Sequence, residues 1–161
     1  MRTDRVEKII NGMKQNNIDQ MIISDPSTLY YLAGKFVAPG ERLFALYLDT
    51  QGGCTFFMNT LQTDYAPMAE GAEIVWYSDS QDSIKILAQK IRPGATVGVD
   101  KNWASSFLLR LMAEVDANYV LSSRIIDYIR MVKDAGEIQA MRETQAVNEI
   151  VISEMFTYVD P

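Results

Sequence analysis

RLFALYLDTQGGCTFFMN (residues 42–59) holds two apolar, aromatic-rich runs of strand length on either side of Thr50-Gln51-Gly52-Gly53. Such runs parted by a short glycine-rich turn signal a β-hairpin. An adjacent antiparallel pair is therefore expected at 42–49 and 54–59. Outward from it, strand-length runs recur at QMIIS (20–24), EIVWYS (73–78), TVGVD (96–100) and NYVLSS (118–123). Between them the apolar spacing turns helical. Residues 3–16 set Val6, Ile9, Ile10 and Met13 on one face with Thr3 as cap, and Asp25-Pro26 opens a short helix that Gly34 closes. Residues 60–70 read as a helix shortened or kinked by Pro67, and 81–91 as a helix stopped by Pro93-Gly94. ASSFLLRLMAEV (104–115) is helical, and RIIDYIRMVK (124–133) a short helix or extended connector. The fold class that follows is α/β: a three-layer domain with a mixed five- or six-stranded sheet flanked by helices.

The 161 residues are 48% hydrophobic and 22% charged, a globular composition large enough for a substantial core. Net charge is -6 and no basic stripe is present, so nucleic acid is not an expected partner. No apolar run reaches the roughly 20 residues a membrane span needs, and MRTDRVEKIING (1–12) reads as a charged amphipathic segment and not a secretory signal. The single Cys54 suits a reducing cytoplasm. Histidine is absent. That removes the imidazole base of a serine or cysteine triad and the usual zinc ligand. An all-carboxylate metal site would survive this objection, yet Asp19, Asp25, Asp64, Asp79, Asp82, Asp100 and Asp116 lack ligand spacing and suit caps and turns. No catalytic and no metal-ligating residue is assigned.

Two stretches remain as candidate sites. YYLAGKFVAPGERLFALYLD (30–49) gathers two tyrosines, glycines and loop charges, and makes Tyr31, Lys35 and Arg42 the candidates for proximity to a substrate. TVGVDKN (96–102) ends a strand where open α/β sheets bind ligands, although no nucleotide motif accompanies it and a plain turn explains it. The end of the chain is a different kind of feature. Asp134 and Glu137 have capping-box spacing, and the helix they open is expected to run to about Val159 and stop at Asp160-Pro161. Its Ile138, Met141, Val147, Ile150, Val151, Met155 and Phe156 spread round much of the circumference, as on a helix that either folds back on this domain's own sheet or has its partner elsewhere.

STLYYLAGK…GERLFALYLD and SRIIDYIRMVKDAGEIQAMRETQAVNEI together resemble the N-terminal domain and interdomain junction of the creatinase/prolidase/aminopeptidase P family. The junction pattern of that family is matched by Arg130, Lys133, Glu137, Ile138, Met141 and Arg142, with Asp134 in place of a Ser/Thr and Thr144 in place of an alanine. The resemblance implies residues 1–130 as a creatinase/prolidase-type N-terminal domain and 131–161 as a linker and the first helix of a C-terminal catalytic domain. It implies a pita-bread catalytic domain holding two divalent metal ions (manganese, cobalt or zinc) through two Asp, one His and two Glu beyond residue 161. On that reading the chain is a non-catalytic part of an Xaa-Pro dipeptidase or aminopeptidase. It would serve dimerisation and gating of the active site, with its own catalytic domain, a second copy and short proline-containing peptides as partners. The alternatives are a stand-alone α/β module for a small ligand or protein, the N-domain of a creatinase-like non-peptidase hydrolase, and a self-contained carboxylate-metal enzyme.

Overall fold

The chain reverses direction at Asp49–Gly53, where the Asp49 N–H donates to the Gly53 carbonyl at 2.9 Å and Gly52 takes φ 104°. That positive φ is a conformation open to glycine at no steric cost. The computed structural model describes residues 1–158. Its strands are β1 (Gln20–Ile23), β2 (Ala45–Asp49), β3 (Cys54–Asn59), β4 (Glu73–Tyr77), β5 (Thr96–Val99) and β6 (Asn118–Leu121). They form one sheet in the order β4-β3-β2-β1-β5-β6. β2 runs antiparallel to both neighbours, with Leu46 opposite Phe56 of β3 and opposite Ile23 of β1. The pairs β3–β4, β1–β5 and β5–β6 are parallel, so five strands run one way and β2 the other.

The helices are α1 (Thr3–Gln15), α2 (Pro26–Ala33), α3 (Ser83–Ala88), α4 (Ser105–Glu114), α5 (Ser123–Met131) and α6 (Ala135–Phe156), with a 3₁₀ segment at Thr60–Ala69. Side-chain alternation along the strands divides the core in two. Met21 and Ile23 join Val6, Ile9 and Met13 of α1, Leu29 and Leu32 of α2, Met68 of the 3₁₀ segment and Ile125 and Ile126 of α5. Ile22, between them, joins Ile84 and Leu87 of α3 and Leu111 of α4 on the other face. This is the three-layer arrangement that the spacing implies. β1 and β2 are buried along their whole length, as strands covered on both faces must be.

Several boundaries differ from expectation. Thr3 lies inside α1, whose N-cap is Arg2 without a side-chain cap bond. The 60–70 segment is 3₁₀ and not α: Asn59 and Gln62 form a capping box, Gln62 leaves helical geometry at φ -108°, and Pro67 has no N–H to offer an α-helical ladder. α3 is six residues long and gives way after Ala88 to tight turns, although Ile91 stays buried. Residues 123–131 form a true helix. The capping box at Asp134 is present, with the Glu137 N–H on Asp134 at 2.8 Å and the Asp134 N–H on Glu137 at 2.9 Å. The expected continuation to Val159 and Asp160-Pro161 lies outside the described residues. No helix among the described residues is long and apolar enough to cross a membrane.

The chain divides into two compact units, Met1–Ile129 and Arg130–Pro161. In the first, a polar network locks β1 to β2 beneath the turn before β5. Gln20 is fully buried; it donates to the Tyr47 hydroxyl and to the Lys90 carbonyl (3.0 Å) and accepts from the Arg92 N–H (2.9 Å). Tyr47 donates to Asp49 (3.0 Å), which also accepts from the Gln51 N–H (2.7 Å) and the Arg92 guanidinium. Burial alone would raise the Asp49 carboxyl, but the Gln51, Tyr47 and Arg92 donors outweigh it and hold it below its usual 3.8. Burial pushes the Tyr47 phenol up to about 12. In the second unit, no residue of α6 is buried.

The Asp49 carboxyl titrates lower folded than unfolded, so its stabilising effect is complete above pH 3.8 and is lost as pH falls below that. Asp49→Asn should lower unfolding free energy by about 1–3 kcal/mol at pH 7, and urea titrations should show the gap to the parent sequence closing below pH 3.8. Conversely, the Tyr47 contribution is present below pH 10 and disappears as pH rises toward about 12. Helix α6, with no buried side chain to stabilise it, should exchange its amide hydrogens orders of magnitude faster than β1 and β2. Equal protection in a dilute sample would contradict this.

Candidate functional site

The loop that follows α2 is fixed at three points. Gly34 ends the helix in the left-handed conformation (φ 72°), its N–H on the Tyr30 carbonyl at 2.8 Å. Val37 is fully buried in the core shared by α1 and α2. Leu43 and Phe44 then enter opposite faces of the sheet. Between these anchors Phe36 stands out at 62% exposure. Ala38, Pro39 and the two charged candidates face a recess of about 400 Å³, closed on the other side by Leu61, Gln62, Asp64 and Tyr65 of the 3₁₀ segment.

Lys35 and Arg42 both line this recess, and their surroundings differ. The Lys35 ammonium donates to the Asp64 carbonyl at 2.6 Å and lies 5.1 Å from the centre of the Tyr65 ring, a cation–π distance. Neither contact neutralises it. Arg42 forms a two-pronged pair with Asp79 at 2.8 and 2.6 Å. The hydrogen bond to Asp79 raises the Arg42 pKa, and the same bond holds the Asp79 carboxyl below the usual carboxylate range. Asn59 supports the pair: its side-chain amide donates to Asp79 at 2.7 Å, while its oxygen caps the 3₁₀ segment through the Leu61 N–H at 2.9 Å.

Tyr31 is placed differently. The Arg5 guanidinium lies 3.8 Å over its ring and donates to its carbonyl at 2.6 Å, tying α1 to α2. It is not among the residues lining the recess. Asp79 and Asn59, which hold Arg42, lie too far along the chain for local spacing to link them to it. Asn59-x-x-Gln62 has capping-box spacing, which was a usable signal for one of them.

The carboxylates serve local structure. Asp19 accepts from the Thr96 N–H, Asp25 caps α2 and Asp82 caps α3. Among the described residues, no three His, Cys, Asp or Glu side chains converge as a metal site would require.

A mixed sheet with helices on both faces and a single reversed strand defines an α/β domain. The chain belongs to the Creatinase/Prolidase N-terminal domain family, whose model matches residues 5–132. It is similar to an uncharacterized peptidase of Staphylococcus aureus, at 26% identity over 86% of this chain and 40% of that protein. Among solved structures, a dipeptidase from Mycobacterium ulcerans has the same fold over 99% of this chain and 44% of its own, with a TM-score of 0.90 and 23% identity. A prolidase from Thermococcus sibiricus matches over 98% of this chain and 44% of its own, with a TM-score of 0.85 and 23% identity. The chain thus spans less than half the length of these relatives.

Asn59→Ala removes a helix cap and one of the donors holding Asp79. It should lower stability by about 1 kcal/mol, read by thermal or urea unfolding, and should release the Arg42 guanidinium, read as faster exchange of its Nε proton.

Proposed function

We propose that this chain is the N-terminal part of an Xaa-Pro dipeptidase or aminopeptidase P-like peptidase, where it mediates dimerisation and gates the active site. The observation that carries this reading is the match of residues 5–132 to the Creatinase/Prolidase N-terminal domain family, which supports a position ahead of a peptidase's catalytic half. That further segment would hold the two divalent ions and supply the activated hydroxide that attacks the bond before proline. The 44% share of the prolidase and dipeptidase chains supports such a catalytic partner domain. Within this arrangement residues 131–161 are the linker and the first helix of the catalytic domain, which accounts for the capped, apolar and unburied α6. The lone, half-buried Cys54 supports a cytoplasmic setting.

The domain contributes by position and not by covalent chemistry. A loop anchored at Gly34, Val37 and Leu43 presents cationic side chains on a stiff support, suited to closing over a neighbouring cleft and to meeting the free carboxylate of a short peptide. Of the two cations, Lys35 is the one whose charge is not already paired, so it is the better candidate for a peptide carboxylate. Tyr31 would act at one remove, by tying α2 to α1 beneath the loop.

In the full-length parent, Lys35→Ala should lower kcat/KM about 10- to 150-fold, the equivalent of losing one charge-assisted contact of about 1.5–3 kcal/mol, with metal content and fold unchanged. Arg42→Ala should lower it less, because Arg42 is committed to Asp79. The 161-residue chain alone should release no proline from Xaa-Pro dipeptides in excess manganese. Wild-type kinetics in both variants would restrict the loop to a connecting role, and chelator-sensitive turnover by the chain alone would refute the division of labour.

A further inference from the structure

β1 and β5 are adjacent and parallel, and the helices that follow them leave on opposite faces of the sheet: α2 packs in the core with α1, α4 in the core with α3. This divergence is the topological switch point of an open α/β sheet, and the crevice beyond the strand ends is where such sheets place their ligands. Here the crevice is filled by Asp100. Its carboxylate is buried, with the residue 6% exposed. Oδ2 accepts from the Ser24 N–H at 2.5 Å, the Asp25 N–H at 2.9 Å and the Ser24 hydroxyl at 3.0 Å; Oδ1 accepts from the Asn102 N–H at 3.0 Å. All four donors are neutral. The nearest cation in sequence, Lys101, is paired elsewhere with Asp127 at 2.7 Å. The second carboxylate of the turn, Asp25, is taken up by Thr28 and by the Asn102 side-chain amide at 2.8 Å.

Convergent neutral donors around one buried carboxylate make an anion hole, as oriented backbone amides do elsewhere. We infer that Asp100 is the resident ligand of this crevice: an anion supplied by the chain, which clamps the β1–α2 turn to the β5–α4 turn and closes the switch point to outside ligands. The carboxylate therefore acts as a positioning group for α2 and for the loop that leaves it. A purely space-filling Asp100 would not require an anion, and this separates the two roles.

The test removes the carboxylate and leaves the donors. In the 161-residue chain, Asp100→Ala should lower the thermal midpoint by roughly 3–12 °C, the scale for losing a buried charge-assisted network in a protein of this size. Acetate or formate, titrated against chloride at constant ionic strength, should restore at least half of that loss along a saturable curve. Asp100→Asn, which keeps the volume filled, and the parent chain should show no such response. An unchanged midpoint in Asp100→Ala, or recovery equal in chloride, would overturn the inference. Should Asp100→Ala not fold at any acetate concentration, amide exchange decides. The Ser24 and Asp25 amides should be protected in the parent chain and exchange at least tenfold faster in Asp100→Asn, and equal rates would overturn it.

Discussion

β2 is hydrogen-bonded along both edges to strands of the opposite direction, and the placement of most of unit Met1–Ile129 follows from that pairing. The hairpin turn forces β3 to run with β1, so β4 can join β3 only as a parallel neighbour reached through the 3₁₀ crossover. β5 must then return to the far side of β1. This return creates the switch point at Asp100 and leaves β4 and β6 as the two sheet edges. The Gln20–Tyr47–Asp49–Arg92 network sits where the first of these pairings begins. It is fully occupied by partners, which is the condition under which buried polar groups specify one register and do not merely weaken the core.

How much of this could be read beforehand depends on range. Gly52-Gly53 between aromatic-rich runs, Asp25-Pro26 ahead of α2, and Asp134 with Glu137 at the start of α6 are local patterns, each with its cause within four residues. They emerge where the spacing puts them. The junction and loop motifs, read together, also led to the family that the chain belongs to. The 3₁₀ character of Thr60–Ala69 was not legible, because proline weakens an α-helix without stating what replaces it. The Arg42–Asp79 pair was hidden by a sequence separation of 37, and the Asp100 contacts to Ser24 and Asp25 by separations of more than 70. Asp100 in particular looked like an ordinary turn residue after a strand. Its role depends on which strand lies beside β5, and that is a property of topology.

The loop between α2 and β2 carries a consequence for association. A surface loop that orders on binding loses backbone freedom worth about 1–2 kcal/mol for each residue fixed, and that loss is subtracted from whatever its contacts contribute. With Gly34 already in its left-handed capping conformation, Val37 inserted in the core and Arg42 gripped by Asp79, most of that freedom is surrendered during folding. The exposed Phe36 at its crest is thus presented on a rigid mount. A surface that docks there would meet a shape already set, and the association would be expected to resemble two preformed bodies meeting, with a fast approach and little rearrangement after contact.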